Sequence, residues 1–365
     1  MQSLTIVHTE ASDGWGGQEI RIVQESLGMM RRGHRIVLCA PAHSAIYARA
    51  QEAGIEAVHS PVHRKSGASA AALLNLLKTI RPDIINTHSS ADSWVAGIAA
   101  QGLFSAKPKI IRTRHLSTPI SRSFLSRIVY DVLPDAVMTT GEEIRNRMIS
   151  VNRFRADKII SVPTGVDLAS FDASLVPPPK SAGRGCAIGM LGVLRSWKGH
   201  QYFLQAVPLI KAGLPLSHFF IAGEGPQREN IEKAIRSLAV QDDVTMLGHR
   251  EDVPELLSSF DVVVHPSYAN EGVPQSILQA LAMKRAVVAS DAGAIREVII
   301  DGRTGCLIEP KRPDLIAEKV IDLCRNEEKR SAYGEAGRKL VEREYSFDRM
   351  LDVIEGLYTR LLGSA

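Results

Sequence analysis

Short runs of apolar, mostly β-branched residues alternate along the chain with segments whose apolar positions recur every three or four residues. Such runs predict buried strands, and the longer spacing predicts one face of a helix. In the first half the predicted strands are 4–8, 35–39, 83–87, 109–113, 136–139 and 158–162. The predicted helices there are 17–30, 68–79, 93–102 and 142–149. Alternating strands and helices predict a parallel sheet with helices on both faces.

The second half follows the same scheme, although no repeat of fixed period is visible in the sequence. Its predicted strands are 186–191, 219–222, 244–247, 261–264, 286–289 and 305–308. Between the halves, segment 163–184 has little periodicity and contains three prolines at 177–179 and Gly183, which is typical of an interdomain linker. We therefore predict an α/β protein with domains at 1–165 and 166–345.

Apolar positions in helical spacing also mark the end of the chain, from 345 to 362. They are Met350, Leu351, Ile354, Leu357, Tyr358 and Leu361. A helix with one apolar face needs a surface to cover. This last helix is therefore predicted to pack against another part of the protein.

The composition fits a globular protein, because 45% of the 365 residues are hydrophobic and 23% are charged. No apolar run approaches the roughly 20 residues of a membrane helix, and the chain enters its first strand without a signal peptide. We expect a soluble cytoplasmic protein. The four cysteines, Cys39, Cys186, Cys306 and Cys324, show no paired spacing, so we expect four reduced thiols and neither a disulfide nor a zinc site.

Charge is distributed unevenly between the halves. Residues 1–165 carry 20 Lys and Arg against 13 Asp and Glu, a net charge of +7, whereas the rest of the chain has a net charge of −3. A basic half suits an anionic acceptor or an anionic membrane surface, and it also fits an ordinary solvated face. A predicted helix at 121–130 fits packing better than membrane contact. Nucleic acid is not predicted, because the basic residues are scattered and not interleaved with aromatic ones.

The loop after the predicted strand 261–264 is the first candidate site. A strand-to-helix loop binds ligands well, because free N–H groups and the positive end of the helix dipole meet there. Gly272 permits close approach of the backbone, and Pro274 fits a first helical turn. Glu271 and Gln279 are eight residues apart, so both can flank one elongated ligand.

A glycine-rich loop, DGWGGQE at 13–19, follows the first predicted strand. Glycines allow positive φ and close approach of a phosphate or sugar, and they make Gly16 and Gly17 candidate binding positions. The loop lacks both the Lys-Ser/Thr ending of a phosphate-binding P-loop and the glycine spacing of dinucleotide-binding folds.

Polar residues close two further strands of the first half, as NTHSS at 86–90 and RTRH at 112–115. The carboxyl ends of parallel strands share one edge of the sheet, so these residues are predicted to lie on one edge. The candidates are His88, Ser89, Arg114 and His115. A lone histidine is more often structural, but two at one edge leave a functional role equally open.

Two cations precede a predicted helix near His200, in the segment GMLGVLRSWKG at 189–199. The helix dipole already favours anions at its N-terminus, so Arg195 and Lys198 together predict a bound dianion. Glycine turns end the next two strands at the same edge and add Gly223, Gly248, His249 and Arg250 as candidates.

The pattern of Glu271, Gly272, Pro274 and a matched position eight residues after Glu271 resembles the signature of the retaining glycosyltransferases of family 4. The resemblance implies the GT-B fold, in which two doubly wound, Rossmann-like domains face a deep interdomain cleft. It also implies that the last helix, 346–365, packs back on the N-terminal, acceptor-side domain.

The resemblance further implies how the donor is held. The first acid of the signature contacts hydroxyls of the donor sugar, and N–H groups of the turn hold the diphosphate, which assigns Glu271, Gly272, Val273 and Gln275 to the donor. The second acid holds the ribose diol, and here that position is Gln279. An amide offers one acceptor and one donor where a carboxylate accepts two charge-assisted hydrogen bonds.

The remaining family positions are matched less evenly. Lys198 matches the lysine of the family's diphosphate clamp, but Val193 stands at the arginine position, and Arg195, on the same side of an extended stretch, can replace it. Gly16 and Gly17 match a glycine pair that faces the diphosphate. His115 matches a histidine beside the anomeric carbon. By the same resemblance, the acceptor-side residues are His88, Ser89 and Arg114, and the other donor-binding residues are Gly223, Gly248, His249 and Arg250.

The sequence therefore predicts a retaining glycosyltransferase that moves a sugar from a UDP- or GDP-linked donor to a hydroxyl of a cell-envelope glycan or lipid-linked saccharide, of lipopolysaccharide or exopolysaccharide type. No cofactor is expected, and no metal, because the chain lacks the Asp-x-Asp pair of metal-dependent transferases. Peripheral contact with the inner face of the cytoplasmic membrane is a further expectation. A nucleotide-sugar 2-epimerase of the same fold and a catalytically silent sugar-nucleotide binding protein remain alternatives.

Overall fold

The chain forms two parallel sheets in a computed structural model that describes residues 3–103, 107–115, 118–176, 185–269 and 271–363. Cα packing divides it into unit 1, Met1–Pro163 with Met350–Ala365, and unit 2, Thr164–Arg349. The predicted α/β class with two parallel sheets is confirmed. The linker prolines at 177–179 and Gly183 lie outside the described residues.

Unit 1 is built on a seven-stranded sheet in the order β3-β2-β1-β4-β5-β6-β7, in which every pairing is parallel. Its strands are β1 Thr5–Thr9, β2 Arg35–Ala40, β3 Glu56–His59, β4 Ile84–Thr87, β5 Lys109–Arg114, β6 Ala136–Thr139 and β7 Ile159–Ser161. Its helices are α1 Gly17–Arg31, α2 Ala45–Glu52, α3 Gly67–Ile80, α4 Ser90–Gln101, α5 Phe124–Arg127 and α6 Glu142–Ser150.

The strands of unit 1 change character along their length. Ile6, Ile84 and Ile85 are fully buried, as expected for a parallel sheet covered on both faces. The carboxyl ends of β1 and β4 are polar and equally buried, at His8, Thr9, Asn86 and Thr87. Buried polar side chains need hydrogen-bond partners, so this edge must contain a polar network.

Two elements of unit 1 depart from the sequence prediction. Strand β3 and helix α2 were not predicted, because β3 is a short, partly exposed edge strand that includes Glu56 and His59 and lacks a continuous apolar run. The single helix predicted at 121–130 was confirmed only in part. The structure has the short helix α5 followed by a π-helical turn over Ile128–Val132, and Phe124 and Leu125 are exposed.

Unit 2 contains a six-stranded parallel sheet in the order β10-β9-β8-β11-β12-β13. Its strands are β8 Ala187–Leu191, β9 His218–Ala222, β10 Val244–Gly248, β11 Val262–His265, β12 Ala286–Ser290 and β13 Cys306–Ile308. Its helices are α7 His200–Gly213, α8 Arg228–Ser237, α9 Val253–Ser258, α10 Gln275–Ala282, α11 Pro313–Arg325 and α12 Glu327–Glu344.

The expectation of four reduced thiols was wrong. Cys186 and Cys324 form a disulfide across 138 residues of sequence, whereas Cys39 and Cys306 are free and buried. Spacing could not reveal this pair, because its members meet only when α11 packs beside the start of β8.

The last helix, α13 Phe347–Gly363, contributes most of its length to unit 1. Tyr358 on its apolar face is fully buried, and its polar face pairs with the end of α1. Asp352 lies 2.8 Å from Arg32, and Glu355 Oε1 lies 2.9 Å from His34 Nε2. In the part of the chain that the structure describes, no helix is both long and apolar enough to cross a membrane.

Candidate functional site

The carboxyl ends of three neighbouring strands in unit 2 are tied together through glycines. Gly192 N, after β8, donates to Ala222 O at 3.0 Å, and Gly223 N donates to Gly248 O at 2.7 Å. Gly223 has a φ of +142°, and a Cβ there would lie 2.0 Å from Gly192 O. Only glycine allows this approach, so the predicted glycine turns form one continuous backbone edge.

The loop after β11 packs against the loop after β8. Tyr268 N donates to Trp197 O at 2.9 Å, and a Cβ on Gly199 would lie 2.0 Å from Pro266 O. This contact brings Lys198 Nζ to 2.8 Å from Glu271 Oε1. The two residues are 73 positions apart in the sequence, and both side chains are largely buried.

Glu271 is held as a carboxylate at this position. Burial is the largest single effect and raises its pKa. The Lys198 charge and hydrogen bonds from Lys198 and from Ser267 Oγ, the latter at 2.9 Å, are among the effects that together outweigh burial, so the pKa lies below its usual value. Two neutral histidines flank the pair. Burial and the Lys198 charge lower the pKa of His265 to about 3 and that of His200 to about 4.

Three other predicted donor residues of unit 2 are exposed, unlike the largely buried pair of Lys198 and Glu271. The guanidinium of Arg195 is exposed and lies 5.3 Å from the Trp197 ring centroid, with no hydrogen bond to Glu271 among the described residues. Arg250 forms an exposed ion pair with Asp252, and His249 is exposed. The structure therefore joins Lys198 to Glu271 directly and leaves Arg195 at the surface.

Helix α10 begins immediately after Glu271, Gly272, Val273 and Pro274. Gln275 and Gln279 are one helical turn apart, both half-buried, and share one face of α10. Glu271 O accepts a hydrogen bond from Ala294 N at 2.9 Å, which anchors the loop before the helix. The edge of unit 2 thus presents a cation, a carboxylate, two amides and a helix N-terminus.

The glycine loop of unit 1 leads directly into α1. Gly16 is its N-cap and Gly17 its first residue, and a Cβ on Gly17 would meet no atom within 4 Å. Buried Glu10 orders the start of this loop by accepting hydrogen bonds from Ala11 N and Ser12 N at 2.7 and 2.8 Å. Burial and the nearby Asp92 charge raise the pKa of Glu10 to about 7.

Three histidines form a hydrogen-bonded chain at the same edge of unit 1. His8 Nδ1 lies 2.9 Å from His88 Nε2, and His88 Nδ1 lies 2.9 Å from His115 Nε2. Burial lowers the pKa of His8 to about 4 and holds the pKa values of His88 and His115 well below their usual range. All three imidazoles are therefore neutral near pH 7.

Ser89 and Arg114 also lie at this edge. Ser89 is the N-cap of α4 and forms a capping box with Asp92. Arg114 Nη2 donates to Thr118 O at 2.7 Å, and its Nη1 donates to Tyr130 Oη at 3.2 Å. The predicted acceptor-side residues are thus neighbours along one sheet edge.

Sequence reasoning missed several residues of both edges. His8, Glu10 and Arg112 in unit 1, and His265 and Ser267 in unit 2, were not singled out. Their positions at the ends of predicted strands were a usable signal, and Asp92 three residues after Ser89 matches a capping-box pattern. Among the described residues, no group of three His, Cys, Asp or Glu side chains could hold a metal ion.

Two family models match the chain. The one described as "Glycosyltransferase Family 4" matches residues 15–170, and the one described as "Glycosyl transferases group 1" matches residues 180–340. Together they span most of both units.

Individual relatives align with only part of the chain and at low identity. The alpha-D-kanosaminyltransferase of Streptomyces kanamyceticus is 31% identical over 174 residues, which are 47% of this chain and 45% of that protein. The lipopolysaccharide core biosynthesis mannosyltransferase LpcC of Rhizobium leguminosarum bv. viciae is 25% identical over 229 residues, 57% of this chain and 63% of the relative. The chain thus aligns with about half to two thirds of these relatives.

One similar solved structure superposes on nearly the whole chain, more than these relatives align with. That of Anabaena Alr3699/HepE in complex with UDP and glucose superposes with a TM-score of 0.84 at 17% identity, over 98% of this chain and 100% of that chain. This likeness confirms the predicted fold class, two Rossmann-like α/β domains of GT-B type.

Proposed function

The chain belongs to the glycosyltransferases of family 4, and from this premise we propose that it transfers a sugar from a nucleotide-diphosphate donor to a hydroxyl acceptor, with retention of configuration. The observation that carries the proposal is the 2.8 Å contact of Lys198 Nζ with Glu271 Oε1 at the ligand edge of unit 2. Such a donor offers sugar hydroxyls beside a diphosphate. A carboxylate next to a cation complements both.

Lys198 binds the diphosphate and stabilises the charge that grows on it as the bond to the sugar breaks. Backbone N–H groups at Gly272 and Val273 and the surface cation Arg195 assist, so the proposal requires neither a metal nor a cofactor. Glu271 accepts hydrogen bonds from sugar hydroxyls, and Gln279 contacts the ribose. UDP in the Anabaena structure supports a UDP- or GDP-linked donor here.

The acceptor is a hydroxyl of an envelope glycan or lipid-linked saccharide, and the lipopolysaccharide core relative supports this class. Unit 1 contributes Ser89 and Arg114 to acceptor binding. His88 lies on the acceptor side, but both of its ring nitrogens contact other histidines, so it acts by orienting His115. Reaction at the inner face of the cytoplasmic membrane is part of the proposal. The roles assigned to Gly16, Gly17 and His115 stay predictions.

The test is an assay with a panel of UDP- and GDP-sugars, with and without saccharide acceptors. Released nucleotide is measured, and proton NMR of the product gives the anomeric configuration. Lys198→Ala should lower transfer roughly a hundredfold or more, because removing one donor to developing charge has this effect in other enzymes. The matched control is Lys211→Ala, since Lys211 also forms a close ion pair, at 2.6 Å from Asp243, within unit 2.

Other outcomes separate the alternatives. A 2-epimerase would release an altered free sugar nucleotide without an acceptor, and a silent binder would bind donor without turnover. Product of inverted configuration, or activity abolished by EDTA, would contradict the retaining, metal-free reaction.

A further inference from the structure

Two arginines of β5 lie on one face at its carboxyl end, because alternate side chains of a strand point to the same side. Arg112 is only 2% exposed. It sits between Thr87 of β4 and Val137 of β6 in the middle of the sheet. Arg114, two residues further on, is half-buried. The guanidinium of Arg112 is therefore held inside unit 1.

Neither arginine forms an ion pair with a carboxylate in the part of the chain that the structure describes. Nε and Nη1 of Arg112 and Nε of Arg114 are buried without a hydrogen-bond acceptor among the described residues. The bonds that Arg114 does make go to neutral oxygens of Tyr130 and Thr118. Burying a cation without a hydrogen-bonded counter-charge is unfavourable, so this arrangement is incomplete by itself.

Asp92 is within electrostatic reach of Arg112, because the Arg112 charge acts to lower the pKa of Asp92 against the larger effect of burial. Its oxygens already accept hydrogen bonds from Thr9 Oγ1, His88 N, Ser89 N, Ser89 Oγ and Ser93 N, at 2.8 to 2.9 Å. A carboxylate has about four acceptor sites. Asp92 therefore has no capacity left for Arg112.

The ring of Tyr130 lies beside both guanidinium groups, with its centroid 5.6 Å from Cζ of Arg112 and 5.9 Å from Cζ of Arg114. A ring face attracts a cation, but it offers no acceptor in the plane of the N–H groups. Tyr130 thus holds the two cations near each other. Its hydroxyl accepts one hydrogen bond, from Arg114 Nη1 at 3.2 Å, and leaves the buried Nε and Nη1 of Arg112 and Nε of Arg114 unsatisfied.

We propose that Arg112 and Arg114 bind an oxyanion, a phosphate or a carboxylate, carried by the acceptor. The planar fork of N–H groups on a guanidinium matches both anions in a bidentate way. The pair lies at the same strand end as His115, and Arg112 pairs across the sheet with the residue before His88. That the anion belongs to an acceptor rests on the proposed function, whereas the anion site itself does not.

The first experiment measures binding without activity. Thermal unfolding of the full chain is followed in sodium phosphate and in sodium chloride of equal ionic strength, in a Lys198→Ala background that removes the other predicted anion site. Phosphate should raise Tm, and Arg112→Gln should weaken its apparent affinity roughly ten- to hundredfold. The control Arg122→Gln, at an exposed position of unit 1, should retain the full shift.

The same data separate a ligand site from a structural role. Arg112→Gln removes a buried charge that has no hydrogen-bonded carboxylate among the described residues, so Tm in chloride should stay equal or rise. A lower Tm in chloride together with an unchanged phosphate shift would overturn the proposal. Arg112→Lys should bind phosphate more weakly than wild type, because it keeps the charge and loses the fork.

The second experiment compares acceptors that differ only in charge, an alkyl hexoside, its 6-phosphate and the corresponding uronic acid. The KM for a charged acceptor should rise at least tenfold in Arg112→Gln, with the KM for the neutral one unchanged; the phosphate and uronate arms identify the anion. If the KM depended neither on the acceptor's charge nor on Arg112, the anion site would be contradicted and the proposed transferase function would stand. If phosphate raised Tm through Arg112 but no sugar were transferred, the anion site would stand and the proposed function would be contradicted.

Discussion

His88 Nδ1 lies 2.9 Å from His115 Nε2, and the other ring nitrogen of His88 lies 2.9 Å from His8 Nδ1. A neutral imidazole has one N–H and one acceptor nitrogen, so fixing the proton on one ring fixes all three. His8 Nε2 is buried and has no partner in the described ranges. Since unpaired buried N–H groups are rarer than unpaired acceptors, His8 donates from Nδ1, His88 does likewise, and His115 keeps its proton on Nδ1.

Nitrogen-15 NMR at pH 7 should show His115 neutral and protonated on Nδ1. His88→Leu can neither donate nor accept, so it should give a mixture of His115 tautomers and lower kcat roughly ten- to hundredfold, as loss of an orienting partner does in other sites. KM for the donor should change little. His59→Leu, on exposed His59 of β3, is the control. A wild-type His115 protonated on Nε2 would contradict the prediction.

His265 should make unit 2 sensitive to acid well above the range in which carboxylates titrate. Its pKa falls from 6.5 to about 3 in the folded protein, through burial and the Lys198 charge. The unfolded chain therefore binds a proton first, and stability present above pH 6.5 is lost as the pH falls from about 6.5 toward about 3. At about 1.4 kcal/mol per pKa unit, the loss between pH 6.5 and 5 is about 2 kcal/mol.

Urea unfolding at pH 7, 6 and 5 measures this effect, and His265→Asn should flatten the dependence. Glu271 does not change stability between pH 7 and 5. Its pKa is lowered in the folded protein, so the stability that it contributes is lost only as the pH falls below the unfolded value of 4.5. An unchanged slope in the variant would show that other groups control acid stability. His8 and His200, whose pKa values are about 4, contribute to the wild-type slope with the same sign.

Gln279→Glu should strengthen binding of the donor nucleotide. The carboxylate accepts two hydrogen bonds from a ribose diol, whereas the amide accepts one, so the gain is roughly tenfold in Kd. Calorimetric titration with UDP and GDP measures it. A 2′-deoxyribonucleotide is the control ligand, because it lacks one hydroxyl and should lose the gain. Equal gains for both ligands would place the ribose elsewhere.

Gly199→Ala should unfold unit 2 more easily than a glycine substitution of equal backbone strain. Gly199 and Gly302 have φ values of +79° and +72°, but a Cβ on Gly199 meets Pro266 O at 2.0 Å and one on Gly302 meets nothing within 4 Å. Gly302→Ala should cost about 1 to 2 kcal/mol, the price of a left-handed residue. Gly199→Ala should cost at least about 2 kcal/mol more, and equal losses in urea unfolding would exclude the clash.

Most strands and helices could be predicted from the sequence, because the patterns that indicate them lie within short contiguous segments. Apolar runs such as 84–85 and 262–264 lie in strands covered on both faces, and runs of this kind predicted twelve of the strands to within one or two residues. For the opposite reason, strand β3 was not predicted and the helical segment 124–132 was predicted only in part. An exposed edge strand and a π-helical turn owe their form to neighbouring packing, which leaves little periodicity in the sequence.

The residues of the candidate site could also be predicted from the sequence, whereas the contacts between them could not. Residue types and spacing pointed to Glu271, Lys198, Gly223 and His115, because loops after parallel strands collect ligand-binding groups. The sequence could not show that Lys198 and Glu271 touch, nor that Arg195 stacks on Trp197 at the surface. Those facts depend on how the loops after β8 and β11 pack.

By itself, the sequence determined the two parallel sheets, the edges that carry polar residues and the family signature, because periodicity, glycine placement and strand ends are properties of contiguous residues. Only the tertiary structure decided the Cys186–Cys324 disulfide, the three-histidine chain and the burial of Arg112 beside Tyr130. Each of these joins residues from separate elements. Such contacts, and the pKa values that burial shifts, exist only once the elements have packed.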